Sequence, residues 1–369
     1  MIPFNRPYLT GNEEKYIHEA LASRKLCGNG EFTRRCQEFF EKRYGFRKTL
    51  MTTSGTDALE MAALLTGVGP GDEVIIPSYT FVSTAIAFIR CGAKIIFADS
   101  RADEPNLDAT KLEALITPRT KVIVPVHYAG VACDMDAIMA IAEHHHLLVV
   151  EDAAHSIDSC HTGVQGRRPL GSIGHLGCFS FHETKNIIAG EGGLLAVNDE
   201  RFLRRAEIIW EKGTNRSEFF RGMVNKYGWC DIGSSFLPSE LNCAFLWAQL
   251  EKLDEIQNER KRIWNRYAEA LGLPVIPAYA ENNAHMYYRV FPDLASRTTF
   301  MDALKAKGVQ TTFHYLPLHS SAYYAPRHDG RALPNCDRYA DGLVRFPLYA
   351  GLTDAELDTV ISSARAALG

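Results

Sequence analysis

The stretch LLVVED, residues 147–152, decides the fold, because it is a continuous apolar run that ends in two carboxylates. It follows DMDAIMAIAEHH (134–145), whose apolar spacing predicts a helix. Six other runs have the same character: KTLMTT (48–53), EVIIP (73–77), KIIFAD (94–99), KVIVPV (121–126), CFSF (178–181) and GLLAV (193–197). Continuous runs are typical of strands covered on both faces. With helical runs between several of them, they predict an α/β sandwich around a mainly parallel, seven-stranded sheet.

The length of 369 residues exceeds the usual size of one domain. We predict a large domain over residues 1–245 and a smaller C-terminal α/β domain over residues 246–369. Residues 213–236 contain no clear element, which is typical of a lid or an interface segment. The sequence after Pro238 predicts one long helix, ending near Gly272.

The C-terminal part has its own element signals. HMYYRV (285–290) and QTTFHYL (310–316) predict two strands, and a helix is expected from Ser296. Thr353 with Glu356 three residues later predicts a capping box at the start of the last helix.

Composition excludes several classes of function. A net charge of −4 and a pI near 6.4 argue against a nucleic-acid-binding protein. Nine cysteines without a C-x-x-C pair favour reduced thiols over disulfides or zinc, and no other metal site is predicted. The N-terminus has no secretory pattern and no apolar run could cross a membrane, so we expect a cytoplasmic protein.

Candidate site residues follow the predicted strands. Gly55 and Thr56 lie between a strand and a helix start, where backbone amides favour phosphate, although a plain helix cap is the alternative. Asp152 ends a strand, where it could keep a heteroaromatic nitrogen protonated or simply cap the next helix. His155, three residues later, could bind another polar group of that ring.

A lysine completes the pattern. Lys185 follows the strand that carries Ser180, so an amine and a hydroxyl flank one strand end. Lysine forms a Schiff base with an aldehyde, and serine can bind a phosphate. Aldehyde, ring nitrogen and phosphate together describe pyridoxal phosphate. Phe81 could stack on the ring, with a place in the core as the alternative.

The ordered motifs SGTDAL, PSYTFVSTA, VPVHYAG, EDAAHS, FSFHETKN, GEGG and YLPLH resemble the DegT/DnrJ/EryC1/StrS family of sugar aminotransferases, which have fold type I. The resemblance implies pyridoxal phosphate, and pyridoxamine phosphate in the half-reaction. It implies Lys185 as the Schiff-base lysine, Asp152 at the ring nitrogen and His155 near the ring hydroxyl. Phe81 would stack on the ring, and the phosphate would be held by Gly55, Thr56 and Ser180.

The same resemblance implies the substrates and a partner. L-Glutamate would give the amino group to C4 of dTDP-4-keto-6-deoxyglucose. A homodimer would share its active sites, with Ser235 reaching the phosphate of the partner subunit. Lys212, Asn215 and His319 are expected near the sugar. A 3-keto-sugar aminotransferase and a non-enzymatic pyridoxal-phosphate-binding regulator are the alternatives.

Overall fold

The computed structural model describes all 369 residues and contains twelve strands. They are β1 (Lys48–Thr52), β2 (Glu73–Pro77), β3 (Lys94–Ala98), β4 (Thr120–Ile123), β5 (Leu148–Asp152), β6 (Cys160–Gly163), β7 (Gly166–Pro169), β8 (Leu176–Ser180), β9 (Gly193–Val197), β10 (Ala280–Glu281), β11 (Tyr288–Val290) and β12 (Leu343–Arg345). Seven of them form the central sheet in the order β1-β9-β8-β5-β4-β2-β3. These are the seven strands that the continuous runs predict.

The central sheet is mainly parallel. Strand β2 pairs in parallel with β3 and β4, and β5 pairs in parallel with β4 and β8. Strand β9 is antiparallel to both β8 and β1. Every residue of β2 and β9 is buried, as covered strands require. The predicted α/β class is therefore confirmed.

Twelve α-helices surround the sheets. They are α1 (Glu13–Ala22), α2 (Glu31–Tyr44), α3 (Gly55–Thr66), α4 (Val82–Arg90), α5 (Met135–His144), α6 (Leu203–Trp210), α7 (Arg216–Phe220), α8 (Glu240–Glu251), α9 (Leu253–Leu271), α10 (Leu294–Ala306), α11 (Pro334–Gly342) and α12 (Asp354–Leu368). Alternate residues of β9 join different cores, because Leu195 packs in the cluster of α3 and Leu194 in that of α2 and α8. None of the helices combines the length and apolar character needed to cross a membrane.

The predicted long helix is wrong in one respect, since it is two helices. The chain leaves helical geometry at Lys252, between α8 and α9. Helix α8 packs on α1 and α2, whereas α9 packs on α12. Along α9 the buried side chains change from the core of Ile256 to the core of Ile263. The predicted domain division at 245/246 stays a prediction.

The C-terminal strands differ from those predicted. Strand β11 covers only the end of HMYYRV, and its partner is β12, which the sequence analysis missed. Residues 310–316 do not form a strand. Only Thr312 forms a bridge there, with Arg345. His314 and Tyr315 stack on each other at 3.6 Å, which the alternation of a regular strand forbids.

Two further signals concern the end and the middle of the chain. The capping box of Thr353 and Glu356 is present at α12, which confirms that prediction. The predicted helix from Ser296 starts two residues earlier, because Asp293 caps it. Residues 213–236 contain one short helix, α7. That segment exposes six large apolar side chains: Phe219, Phe220, Met223, Tyr227, Trp229 and Ile232.

Candidate active site

A cavity of about 600 Å³ opens at the carboxyl ends of β5 and β8, beside the first residues of α3 and α4. This volume is typical of small-molecule sites. Seven predicted residues line it together: Gly55, Thr56, Phe81, Asp152, His155, Ser180 and Lys185. The fold therefore brings the scattered motifs of the first 185 residues to one place.

The start of α3 forms a cradle beside Ser180. Ser54 caps the helix, because its Oγ accepts the N–H of Asp57 at 3.0 Å. Gly55 is the first helical residue, and a Cβ there would lie 2.7 Å from the Cβ of Ser180. Thr56 Oγ lies 2.7 Å from Ser83 Oγ. Hydroxyls around the positive end of a helix form a favourable site for phosphate.

Asp152 is buried at the end of β5 and lines the cavity. Its Oδ2 accepts the hydroxyl of Thr84 at 2.7 Å, and its Oδ1 accepts the N–H of Ala154 at 3.1 Å. Burial raises the pKa of Asp152, while these two hydrogen bonds and the charge of Lys185 oppose the shift. A buried carboxylate of this kind gains from a cationic partner in the cavity.

Lys185 lies in the turn after β8, where its N–H donates to the carbonyl of His182 at 2.9 Å. Burial lowers the pKa of Lys185 to about 8, with the charge of Arg345 acting in the same direction and that of Asp152 opposing it. A lysine with a lowered pKa has a neutral, nucleophilic fraction near neutral pH. The structure therefore gives Lys185 the properties of a reactive amine.

His155 is buried and neutral. Burial lowers the pKa of His155 well below its usual value, helped by the charges of Lys185 and Arg345. Its ring stacks on that of His285 with centroids 4.3 Å apart. Its Nε2 lies 3.2 Å from the hydroxyl of Tyr315.

Phe81 lies at the rim of the cavity rather than in the core. It caps α4 and is 56% exposed, and its ring centroid lies 6.1 Å from that of Tyr315. The alternative of a core aromatic is therefore wrong. An exposed ring above the cavity can cover an apolar face of a ligand.

Four predicted residues lie outside this cavity. Ser235 is exposed within the segment 213–236, and Lys212 is exposed directly before it. Asn215 is used locally, because its Oδ1 accepts the N–H of Gly228 at 2.8 Å. His319 is held by Ser78 Oγ at 2.8 Å. The expected position of His319 near the sugar stays a prediction.

Sequence reasoning missed the C-terminal wall of the cavity. It consists of His285, Thr312, Phe313, His314, Tyr315 and Arg345. His285 Nδ1 lies 2.7 Å from Asn186 Oδ1, so it is tied to the residue after Lys185. Only Tyr315 lies in one of the quoted motifs, YLPLH, and it was given no role there. The available signal is a single arginine within the apolar run LVRFPL, which is unusual for a buried strand.

Arg345 is a partly buried cation without a carboxylate partner. Its Nη2 donates to the carbonyl of Phe313 at 3.4 Å, and its Nε has no hydrogen-bond partner. Its guanidinium lies 4.7 Å from the ring centroid of Phe4. Burial lowers the pKa of Arg345, yet the group stays charged because an arginine pKa is so high. This wall can therefore bind an anionic group of a ligand.

Comparison with sequence families gives a match over nearly the whole chain. The DegT/DnrJ/EryC1/StrS aminotransferase family matches residues 7–365. The spore coat polysaccharide biosynthesis protein SpsC of Bacillus subtilis is 33% identical, over 99% of this chain and 96% of its own length. GDP-perosamine synthase of Caulobacter vibrioides is also 33% identical, over 97% of this chain and 95% of its own length.

Solved structures of aminotransferases are also similar to this chain. TlmJ, an aminotransferase of Streptoalloteichus hindustanus, is 29% identical with a TM-score of 0.90, over 100% of this chain and 99% of its own. Spr1654, a sugar aminotransferase candidate of Streptococcus pneumoniae, has been solved in a PLP form. That form is 26% identical with a TM-score of 0.90, over 99% of this chain and 98% of its own.

Proposed function

The chain belongs to the DegT/DnrJ/EryC1/StrS aminotransferase family, and we propose that it aminates a nucleotide sugar. Amino transfer would run from L-glutamate to C4 of dTDP-4-keto-6-deoxy-D-glucose and give dTDP-4-amino-4,6-dideoxy-D-galactose. Four segments support this choice: HYAGVACDMD, SFHETKN, GTNRSEFFRG and DIGSSF. They resemble dTDP-4-amino-4,6-dideoxygalactose transaminase, which makes the Fuc4N donor for enterobacterial common antigen, a lipopolysaccharide-related polymer.

The cofactor is pyridoxal phosphate, with pyridoxamine phosphate as its aminated form. When bound, it supplies an aldehyde and an electron-withdrawing ring. The residues of the cavity fit this group. Gly55, Thr56 and Ser180 would hold the phosphate, because the start of α3 lies directly against Ser180, where a Cβ at Gly55 would be 2.7 Å from the Cβ of Ser180. Asp152 would hold the ring nitrogen, and Phe81 would cover the ring.

The observation that carries the proposal is the position of Lys185 and Asp152 in one cavity. Lys185 Nζ would bind the aldehyde carbon and afterwards accept and return the proton of the substrate carbon. Asp152 would keep the ring nitrogen protonated throughout. The lysine at position 185 also distinguishes amino transfer from the related sugar dehydration. The resemblance implies that enzymes of the dehydration reaction have a histidine at this position.

Arg345 supports an amino acid as the donor. A partly buried guanidinium with a free Nε is suited to bidentate binding of a carboxylate. The keto sugar brings no carboxylate to this position. We therefore propose that Arg345 binds a carboxylate group of L-glutamate.

The first experiment uses the absorbance of the cofactor-loaded protein. Addition of L-glutamate should remove the visible band stoichiometrically, and a keto sugar should restore it. Lys185→Ala is the matched control; it should still bind glutamate covalently through the cofactor but should not be converted to the pyridoxamine form. A wild-type protein that stays yellow with glutamate would favour the regulator over the enzyme.

The second experiment identifies the sugar. The aminated protein is incubated with the 4-keto or the 3-keto dTDP sugar, and the product is read by NMR ring couplings. A GDP-linked 4-keto sugar belongs in the panel, because one relative is named for a GDP sugar. We expect an axial amine at C4 of the dTDP sugar. An equatorial C4 amine, or turnover of the 3-keto sugar alone, would overturn this substrate while leaving the cofactor chemistry intact.

We also propose a homodimer, because residues 213–236 expose apolar side chains that a second copy could cover. The partner's segment would bring Ser235 to the phosphate, and Lys212 and Asn215 to the sugar. Sedimentation of Trp229→Ser should show weakened association. Val164→Ser is the control, because Val164 is equally exposed but lies in the turn between β6 and β7.

The predicted cytoplasmic location stays a prediction.

A further inference from the structure

Residues 2–8, IPFNRPY, form an irregular segment beside the cavity, called here the N-terminal strap. Phe4 of the strap lines the cavity, whereas every other lining residue is Ser54 or a later residue of the chain. The ring of Phe4 is partly buried, so it stands at the edge of the cavity. Pro3 and Pro7 each fix a φ angle, which lowers the entropy cost of ordering the strap.

Both ends of the N-terminal strap are attached to the rest of the fold. At one end Gln310 holds it twice: its N–H donates to the carbonyl of Ile2 at 3.0 Å, and its Oε1 accepts the N–H of Phe4 at 3.2 Å. The side chain of Ile2 is buried in the C-terminal core. At the other end, Gln249 Nε2 of α8 donates to the carbonyl of Tyr8 at 2.9 Å. The position of Phe4 is therefore set by contacts outside the cavity.

The N-terminal strap also contacts the loop that carries Lys185. Asn5 Nδ2 donates to the carbonyl of Glu183 at 3.1 Å, two residues before Lys185. The N–H of Glu183 donates in turn to the carbonyl of Gly190 at 3.0 Å, so this loop is itself ordered. The strap thus connects the C-terminal wall, through Gln310, to the loop of the reactive amine.

The ring of Phe4 lies against the guanidinium of Arg345, whose Cζ is 4.7 Å from the ring centroid. A cation over an aromatic face is attracted by the ring quadrupole. The N–H groups of a guanidinium lie in its plane, so a ring over its face leaves them free for an oxyanion. Nη2 has one long hydrogen bond, 3.4 Å to the carbonyl of Phe313, and Nε has none. Phe4 therefore fixes the cation while its donor edge stays open.

We propose that Phe4 is a positioning residue for the amino donor, because its ring holds the guanidinium of Arg345 in place to bind a carboxylate of L-glutamate. This inference rests on the proposed binding of glutamate by Arg345. Phe4 contacts this cation and lines the cavity at the same time. The strap also joins the two sides between which the donor must lie, its amine at Lys185 and its carboxylate at Arg345. An apolar ring beside the ion pair excludes water and strengthens the attraction.

The test measures how tightly the cofactor-loaded protein binds glutarate, a dicarboxylate that has no amine and cannot react. Phe4→Leu keeps an apolar side chain but removes the aromatic face. Calorimetry should show a Kd for glutarate that is raised about 10-fold. The KM for L-glutamate should rise by a similar factor, while kcat changes by less than about 2-fold, because the reacting amine is bound elsewhere. Phe4→Tyr keeps the aromatic face and should recover most of the affinity.

A double-mutant cycle shows whether Phe4 acts through Arg345. In the Arg345→Gln background, Phe4→Leu should change the Kd for glutarate by less than about 2-fold. Tyr8→Leu is the matched control, because it removes a ring of the same strap that does not line the cavity. It should leave the Kd unchanged. Wild-type affinity in Phe4→Leu, or an undiminished effect of Phe4→Leu in the Arg345→Gln background, would overturn the proposal.

Failure of the proposed donor site gives a different result. If Arg345→Gln alone leaves the Kd for glutarate unchanged, Arg345 does not bind the donor, and the role of Phe4 falls with it. If Arg345→Gln weakens binding and Phe4→Leu does not, only the role of Phe4 is overturned. A general structural role of the strap would also weaken the keto sugar, so its KM is measured on the same variants. An equal loss for the keto sugar in Phe4→Leu would contradict the proposal.

Discussion

Glu151 and Asp152 are adjacent buried carboxylates on β5, but they serve opposite faces of the sheet. Glu151 accepts four hydrogen bonds, from the N–H groups of Gly171, Ile173 and Gly174 and from the ring of His127. Asp152 accepts two and faces the cavity. One carboxylate is fully used by the fold, and the other keeps capacity for a ligand.

Their pKa shifts follow this difference. Burial raises the pKa of Glu151, but the hydrogen bonds from His127, Gly174 and Gly171 and the charge of His127 outweigh it, so the pKa lies below its usual value. For Asp152 burial prevails and the pKa is raised. Burial alone therefore does not distinguish a structural carboxylate from a functional one. The number of donors that the fold supplies does.

The largest effect is expected on the cavity face, at Lys185. Lys185→Ala removes both the amine that binds the cofactor and the base that moves the proton. Turnover should fall on the order of 10⁴-fold or more. Thermal unfolding of the cofactor-free protein should be unchanged or slightly improved, since a partly buried amine is removed. Retained turnover would sink the assignment, and unfolding at ambient temperature would place Lys185 with Glu151 as a structural residue.

Asp152→Asn tests the second carboxylate directly. The amide keeps the shape but removes the charge that should hold the ring nitrogen protonated. Transamination rates should fall on the order of 10² to 10⁴-fold, while the cofactor-free protein stays folded. Near-normal rates would reject the role of Asp152. Single-turnover absorbance with L-glutamate measures the rate, and circular dichroism measures the fold.

Arg345→Gln extends the comparison to the C-terminal wall. Loss of a guanidinium that binds a carboxylate should lower kcat/KM for L-glutamate roughly 10²-fold. The rate with the keto sugar should change much less, because the sugar brings no carboxylate to this place. Arg345→Lys is the matched control and should recover part of the glutamate affinity. Equal losses for both substrates would indicate a structural role.

The N-terminal half of the cavity was predictable from sequence for a physical reason. Asp152 and Ser180 end continuous strands, and parallel strands bring their carboxyl ends to one edge of the sheet. Gly55 follows a strand and starts a helix, which the cap by Ser54 also marks. Local signals therefore fixed both the elements and the side chains at their ends.

The C-terminal wall was not predictable in this way. Arg345 reaches the cavity through a bridge between Thr312 and β12, a pairing that no local pattern shows. Tyr315 lies in irregular backbone, and its partner His155 is 160 positions away. Residues 310–316 have the β propensity of a strand. They do not form one, because the packing of His314 against Tyr315 overrides that propensity. Long-range packing decides this wall, so its residues appear only in the structure.

Glu151→Gln should have the smallest effect of these variants, and the effect should be on stability. It tests the face of the sheet opposite the cavity. One carboxylate oxygen becomes an NH₂ group that meets N–H donors of the loop 171–174. Unfolding free energy should fall by about 2 to 3 kcal/mol at pH 7. Urea unfolding of the cofactor-free protein measures it, with the exposed, unpaired Glu269→Gln as the control that should stay within about 0.5 kcal/mol.

The pH dependence gives the sign of this last effect. The folded pKa of Glu151 lies below the ordinary glutamate value of 4.5, so the folded state binds fewer protons than the unfolded state in that range. Its stabilisation is therefore complete above the unfolded pKa and is lost as the pH falls through the folded pKa. The wild-type advantage over Glu151→Gln should shrink below pH 4.5 and stay constant from pH 6 to 8. An advantage that grows on acidification would show that Glu151 carries a proton in the fold, and the contrast with Asp152 would then be lost.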